Sequence, residues 1–195
     1  MKLIVITEPG FIPGEAQKLT QLFEHGLPLL HLRKPEATEE EVEALLRQLP
    51  TAYHERIVLH QHFALTTRYG LRGVHLNRRH PLPPQDYQGQ ISCSCHSLEE
   101  VARNKSRCHY LFLSPIFSSI SKRDYPSAFS PTQLAEARDN GLIDEQVIAL
   151  GGVTLAHLPQ LQDWGFGGIA LLGNVWQQPD HLFISHFEQI IKYTS

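Results

Sequence analysis

The stretch from residue 29 to residue 60, LLHLRKPEATEEEVEALLRQLPTAYHERIVLH, decides the fold. It opens on a short apolar run, Leu29–Arg33, and closes on another, Ile57–His60, and both are typical of buried strands. Between the two runs, four apolar residues recur at helical spacing: Val42, Leu45, Leu46 and Leu49. Thr38 followed three residues later by Glu41 forms the capping-box pattern that begins a helix. The stretch therefore predicts a strand–helix–strand unit with parallel strands.

The same alternation continues along the whole chain. Eight short runs are typical of strands: Leu3–Thr7, Leu29–Arg33, Ile57–His60, Gly73–Leu76, Gln90–Ser94, His109–Leu113, Gln146–Leu150 and Gly168–Leu172. Helical patterns separate them, except that three prolines within residues 80–85 allow at most a turn in the fourth connection. An open doubly wound sheet usually has five or six strands. Eight units in 195 residues therefore predict an α/β fold, a single (β/α)8 TIM barrel with short loops.

Composition limits the class of protein. With 195 residues, 42% of them hydrophobic, the chain can bury one sizeable core, so residues 1–195 are predicted to form one domain. A formal charge of −3 favours neither nucleic-acid nor membrane binding, and no apolar run approaches the ~20 residues of a membrane span. The start, MKLIVITEPG, is typical of a buried strand rather than a signal peptide. Three cysteines without framework spacing are typical of reduced thiols, so we expect a cytoplasmic protein.

Two glycine-containing pairs follow the last strands, where barrel enzymes place their sites. Gly151-Gly152 follows the seventh strand, and Gly173-Asn174 follows the eighth and opens a helical turn. Glycine lets backbone N–H groups approach an anion, and the start of a helix adds a favourable dipole. The pattern favours a phosphate site formed by both pairs. The alternative is that the glycines only form tight turns.

Two other segments offer cations to such a site. Arg33 and Lys34 end the second strand and would clamp an anion there, although elsewhere such a pair is a solvated surface. The loop at residues 114–124, SPIFSSISKRD, is rich in hydroxyl groups and contains Lys122. A loop of this kind is typical of a lid that grips phosphate, the alternative being an ordinary surface loop.

Taken together, several motifs resemble the thiamin phosphate synthase superfamily, which includes a thiazole tautomerase branch. These are LHLRKP at 30–35, GVHL at 73–76, SCSCHSLEE at 92–100, SPIFSSISKRD at 114–124, ALGGV at 149–153 and GGIALLGNV at 167–175. The resemblance extends from Leu3 to the final helix. It implies a transferase that joins a pyrimidine pyrophosphate to a thiazole phosphate and releases pyrophosphate. Its ligand would be thiazole phosphate, thiamin phosphate or an analogue, and a homo-oligomer is compatible with this interpretation.

The resemblance also implies roles for individual residues. Arg33 and Lys34 would meet the pyrophosphate, while Gly152, Gly173 and Asn174 would cradle the thiazole phosphate. The candidate catalytic residues are Arg33, Lys34, Ser94 and Lys122. The candidate substrate-binding residues are His31, His60, Gln61, Ser119, Ser121, Gly151, Gly152, Gly173 and Asn174.

The chain departs from the resemblance where Mg²⁺ is expected. The family holds this ion through an aspartate after the third strand and another after the fourth. Here the two positions carry Gln61 and His80. Mg²⁺ requires oxygen ligands and does not favour imidazole, so we predict no metal ligands and an activity that depends little on Mg²⁺. Arg78 is a candidate for neutralising the leaving pyrophosphate instead.

Three alternatives remain open from the sequence. The tautomerase branch transfers a proton with a histidine after strand six, where this chain has Pro115. A second alternative is a non-catalytic or regulatory thiazole phosphate binder that kept only the cleft. The third is a metal hydrolase using three of the histidines near strand ends: His31, His60, His62, His75, His80 and His96. The lack of carboxylates at these strand ends favours ordinary hydrogen-bonded histidines instead.

Alternation along strands predicts which way some side chains point. Ser94 should face the barrel interior, so its neighbours Cys93 and Cys95 should pack against the helices as small core residues. By the same argument, His60 and His62 should project to one side.

Overall fold

The structure, a computed structural model, describes residues 1–118 and 127–194. Eight parallel strands close into a barrel in chain order. They are β1 (Lys2–Ile6), β2 (Leu30–Leu32), β3 (Ile57–Leu59), β4 (Gly73–Leu76), β5 (Gln90–Cys95), β6 (Tyr110–Leu113), β7 (Val147–Leu150) and β8 (Gly168–Leu171). The predicted (β/α)8 barrel is confirmed, and every strand end lies within one residue of its predicted position.

The α-helices lie between the strands and after the last one. They are α1 (Glu15–Glu24), α2 (Glu39–Leu46), α3 (Ala64–Arg68), α4 (Leu98–Asn104), α5 (Pro131–Asp139), α6 (Leu158–Asp163), α7 (Gly173–Trp176) and α8 (Phe183–Thr194). Residues 77–89, which join β4 to β5, contain no helix, as their prolines predict. Among the described helices, none has the length and apolar character needed to cross a membrane.

Helix starts follow from local side-chain bonds. In α2, Thr38 accepts a hydrogen bond from the Glu41 N–H, and the Glu41 carboxylate accepts one from the Thr38 N–H. Ser97 likewise caps α4 by accepting from the Glu100 N–H, but the Glu100 carboxylate accepts from the His96 N–H instead. These bonds satisfy N–H groups that the first turn of a helix leaves without partners.

The core has two layers on either side of the barrel wall. The larger layer lies between strands and helices, and it contains Cys93 and Cys95, as predicted. The smaller layer fills the barrel with six side chains: Ile4, Ile6, Tyr110, Phe112, Ile148 and Ala170. Alternation along the strands separates the layers, because successive side chains of a strand point to opposite faces. The barrel interior is therefore a packed core rather than an open channel.

Candidate functional site

A cavity of about 710 Å³ opens at the carboxyl ends of the strands. All eight strand ends contribute to its lining: Ile6, Arg33, His60, Leu76, Ser94, Ser114, Leu150 and Leu172. Its volume falls within the roughly 300–1,000 Å³ of small-molecule sites. The cavity occupies the face at which (β/α)8 enzymes hold their substrates.

Arginine side chains dominate the charge of this cavity. Among the described residues, five arginines line it: Arg33, Arg78, Arg79, Arg103 and Arg107. Within the same part of the chain, only Arg79 has a carboxylate within ion-pair distance, the exposed Glu36 at 2.9 Å. Arg33, Arg78 and Arg79 follow β2 and β4 at the carboxyl ends of the strands, whereas Arg103 and Arg107 lie at the end of α4 and in the turn before β6, toward the opposite end of the barrel. The three arginines at the carboxyl ends thus concentrate positive charge, and among the described residues only Arg79 of the three has a carboxylate partner. Such a site attracts anions.

The backbone of Arg33 is tied to β1 at the end of the second strand. Its N–H donates to the Thr7 hydroxyl at 2.9 Å, and that hydroxyl donates to the Arg33 carbonyl oxygen at 3.1 Å. Partial burial lowers the pKa of the Arg33 guanidinium, and the nearby charge of Arg79 lowers it further. Because arginine stays protonated in proteins, the two cations repel each other until an anion lies between them.

Lys34 departs from the prediction that it contacts the ligand. Its side chain is buried, and its ammonium group donates to Glu15 Oε1 at 2.6 Å and to the carbonyls of Glu8 and Gly10. Phe11 lies over the same ammonium group. The prediction is corrected because these bonds hold the Lys34 side chain against the loop before α1, whereas the neighbouring Arg33 lines the cavity. Lys34 therefore ties β2 to the loop before α1.

The glycine pair after β7 forms a tight turn. Gly151 and Gly152 both have positive φ, 93° and 65°. A Cβ atom on Gly151 would lie 2.8 Å from Pro115 Cα, and one on Gly152 would strike the Ser118 carbonyl oxygen. The packing of the loop after β6 accounts for both glycines. Gly151 lines the cavity, and the prediction that the pair also binds phosphate stays a prediction.

The pair after β8 begins a short helix. Gly173 is the first residue of α7, and the Asn174 side-chain oxygen lies 3.1 Å from His186 Nε2 on α8. The side chain of Asn174 is thereby directed toward α8, so only the backbone of this pair remains suited to a phosphate. That role also stays a prediction.

Three histidines meet at the floor of the cavity. His31 Nδ1 lies 2.9 Å from His60 Nε2, and the rings of His60 and His75 stack with centroids 4.2 Å apart. The other nitrogen of His31 lies 2.7 Å from the Tyr110 hydroxyl. Of the three histidines, His60 is the one that lines the cavity. The predicted substrate residue His31 lies one layer deeper, fully buried.

Ser94 faces the barrel interior, as alternation predicts. Its hydroxyl lies 2.8 Å from His75 Nε2, and the hydroxyl of Ser92 lies 2.8 Å from His75 Nδ1. Ser94 also lines the cavity, so it can contact a ligand there. Burial lowers the pKa of His75 to about 3, and the charge of Arg33 adds to this effect, so the ring between the serines is neutral.

His62 does not project with His60, which corrects a second prediction. Its backbone is left-handed, with φ 53°, and its Nε2 lies 2.8 Å from the Ala37 carbonyl oxygen. Strand β3 ends at Leu59, so the alternation of a strand does not extend to residue 62. His96 lines the cavity, and its Nδ1 lies 3.1 Å from the Ser114 carbonyl oxygen.

The side chains at the two expected magnesium positions do not fit this ion. The Gln61 amide nitrogen donates to the Lys34 carbonyl, and His80 is an exposed imidazole in the loop after β4. Among the described lining residues, Glu100 is the only carboxylate, and it accepts the His96 N–H at 2.6 Å. Mg²⁺ demands several oxygen ligands in octahedral geometry, and this donor set does not provide them.

Three predicted contacts lie in the loop that follows β6. Ser119, Ser121 and Lys122 fall outside the described residues. Their roles stay predictions.

Sequence reasoning missed several residues of the site. Tyr110 and Ser92 face the barrel interior, in register with each other on β6 and β5. Alternation from Ser94 and Phe112 would have located both. Arg103 and Arg107 reach the cavity from α4 and the turn after it, and no strand-end pattern marks them.

Fold and cavity together define the class: a (β/α)8-barrel protein with an arginine-rich cavity at the carboxyl ends of its strands. The chain belongs to the thiamine monophosphate synthase family, whose model matches residues 3–175.

Named relatives agree with this membership. The chain is 29% identical over 174 residues to a thiamine-phosphate synthase of Serratia proteamaculans, covering 83% of this chain and 80% of the relative. It is 26% identical over 172 residues to one of Photorhabdus laumondii, covering 83% and 79%. The crystal structure of a thiamine phosphate pyrophosphorylase from Bacteroides thetaiotaomicron is 43% identical, with a TM-score of 0.90 over 99% of this chain and 97% of that one.

Proposed function

We propose that this protein binds thiazole phosphate, thiamin phosphate or a closely related phosphorylated ligand in its cavity, and that arginines neutralise the ligand in place of Mg²⁺. The observation that carries the proposal is the group of three lining arginines at the carboxyl ends of the strands, Arg33, Arg78 and Arg79, of which only Arg79 has a carboxylate partner among the described residues. Family membership supports the ligand class, and the names of the relatives support transfer to a pyrimidine pyrophosphate as the reaction.

Individual side chains have distinct parts in this proposal. Arg33, whose backbone is hydrogen-bonded to Thr7, binds phosphate oxygens with its planar guanidinium, a geometry that suits two parallel hydrogen bonds. Arg78 and Arg79 approach from the loop after β4, where the resemblance expects a magnesium ligand. His60 and Ser94 provide polar contacts on the cavity floor.

Calorimetry tests the binding step. Thiazole phosphate and thiamin phosphate should bind, and the unphosphorylated alcohols should bind at least ~100-fold more weakly, because each charge-assisted hydrogen bond contributes about 1.5–3 kcal/mol. Arg33→Gln should weaken binding of the phosphorylated ligands ~10- to 100-fold. The matched control is Arg72→Gln, which removes an exposed arginine just before β4, at the opposite end of the barrel. Equal affinity in the Arg33 variant and the wild type contradicts the proposed site.

Turnover tests the reaction. Thiazole phosphate and the pyrimidine pyrophosphate are supplied across a Mg²⁺ titration that starts from excess chelator. We expect formation of thiamin phosphate to change less than about twofold, since the donor set does not fit Mg²⁺. Activity that rises and saturates with Mg²⁺ contradicts this expectation. Tight binding without turnover favours the second candidate, a non-catalytic binder, which the loss of both magnesium carboxylates supports.

A further inference from the structure

Beneath the cavity lies a cluster of three histidines, of which His60 alone lines the ligand space. His31 lies on β2, His60 directly follows β3, and His75 lies on β4, so three neighbouring strands contribute one imidazole each. All three side chains are buried. One nitrogen from each ring can be chosen so that all three lie within 4.8 Å of one another.

We propose that His31, His60 and His75 form a binding site for one borderline transition-metal dication, with Zn²⁺ as the preferred ion. Zinc–imidazole bonds are about 2.0–2.1 Å, which places tetrahedral ligand nitrogens roughly 3.4 Å apart. His31 Nδ1 and His60 Nε2 lie 2.9 Å apart, and one nitrogen from each of the three rings can be chosen within 4.8 Å of the other two. We expect ion binding to rotate the rings so that this spacing approaches that of a zinc site.

Hydroxyl groups behind the rings suit this role. The Tyr110 hydroxyl lies 2.7 Å from His31 Nε2, and the Ser92 hydroxyl lies 2.8 Å from His75 Nδ1. Ligating histidines usually engage an oxygen through the nitrogen that does not bind metal, and this bond fixes the ring and its tautomer. His31 Nδ1 and His75 Nε2 are then the nitrogens directed toward the ion. In the absence of an ion, His75 Nε2 is shared with Ser94.

The chemistry of the cluster selects a different ion from that of the family. Burial lowers the pKa of His31 and His60 well below the usual value, and the charges of neighbouring groups lower it further. The rings are therefore neutral at physiological pH, the form in which imidazole binds metal. Three imidazole nitrogens suit Zn²⁺, Co²⁺ or Ni²⁺ and are poor ligands for Mg²⁺. Since His60 lines the cavity, an ion can enter from that side.

Metal titration of the chelator-treated protein, without phosphorylated ligand, tests the site. We expect one equivalent of Zn²⁺ in calorimetry, and one equivalent of Co²⁺ with the intense visible absorption of tetrahedral coordination. His60→Asn should weaken Zn²⁺ binding at least ~100-fold. Tyr110→Phe should weaken it ~10- to 100-fold while keeping one equivalent, as loss of an outer partner does. The matched control is His62→Asn, which removes a neighbouring histidine outside the cluster and leaves a residue that tolerates the left-handed backbone.

Two results would overturn the proposal. One is the lack of a saturating first equivalent in the wild-type protein, which would show that the histidines are only hydrogen-bonded to each other and to Tyr110, Ser92 and Ser94. The other is equal Zn²⁺ affinity in the wild type and in His60→Asn, which would place the ion elsewhere. Circular dichroism checks the fold of each variant, and if His60→Asn does not fold, Tyr110→Phe and the Co²⁺ spectrum decide.

Discussion

At the scale of single residues, the ion pair of Lys34 and Glu15 is a structural contact in the part of the chain predicted to be catalytic. Both side chains are almost fully buried, at 1% and 3% exposure. Burial raises the pKa of Glu15 and lowers the pKa of Lys34, and the charge of each partner opposes the shift of the other.

Removing one partner of this pair should therefore destabilise the fold. Lys34→Met leaves a buried carboxylate without its cation, and we expect the free energy of unfolding to fall by about 3–5 kcal/mol. The double variant Lys34→Met with Glu15→Leu should regain most of this loss. Lys18→Met, which breaks the exposed pair with Asp180, should change stability by less than about 1 kcal/mol. Urea unfolding at pH 7 measures the stability of all three variants. If Lys34→Met kept full stability but bound the ligand more weakly, the result would indicate that Lys34 contacts the ligand.

The buried histidines should make the protein sensitive to acid. Burial depresses the pKa of His31, His60 and His75 in the folded state, that of His75 to about 3. Below about pH 6.5 the unfolded chain binds protons that the folded chain does not, so stability is present above that pH and lost as pH falls. The expected slope approaches roughly 4 kcal/mol per pH unit, three times the value for one proton.

Urea unfolding between pH 7 and pH 4, with chelator present, measures this slope. His60→Asn should reduce it by about one third, since one of the three titrating groups is gone. An unchanged slope in this variant would assign the acid sensitivity to other groups.

At the scale of elements, the sequence was sufficient to locate the strands but not all of the side chains after them. Hydrophobic periodicity and helix caps act locally, so β1 to β8 and the helix-free connection after β4 were predictable. Lys34 and His62 were not, because each lies just past a strand end where alternation no longer applies. Their directions depend on distant partners, Glu15 and the Ala37 carbonyl, which the sequence does not reveal.

The turn after β7 also depends on such a distant contact. Gly152→Ala should destabilise the protein by more than about 1 kcal/mol, because the residue has φ 65° and its new Cβ would strike the backbone at residues 117–118. Gly10→Ala is the matched control, since a Cβ atom there meets nothing within 4 Å. Thermal unfolding compares the two variants. Equal melting temperatures would show that the loop after β6 shifts to accommodate the new Cβ atom at little cost in stability.

At the scale of the whole molecule, charge is distributed unevenly. The chain has a formal charge of −3, yet five arginines line the cavity. The cavity should attract anionic ligands over a distance, and salt should screen this attraction. We expect the association rate of thiamin phosphate, measured by stopped-flow fluorescence, to fall at least severalfold between about 10 mM and 300 mM salt. Arg78→Gln should flatten this dependence, whereas a rate independent of salt would contradict electrostatic steering.

The arginines proposed to bind the ligand also lower the stability of the fold. Arg33 and Arg79 are close enough for the charge of Arg79 to lower the pKa of Arg33, and no carboxylate among the described residues pairs with Arg33, so their mutual repulsion costs stability that an anion between them would restore. Selection for heat resistance alone should therefore replace Arg33 or Arg79 early, and under the proposed function the resulting variants would be more stable but would bind phosphorylated ligands weakly. If related sequences keep these arginines, that conservation would indicate that ligand binding is still under selection, and a comparison of sequences alone would show it.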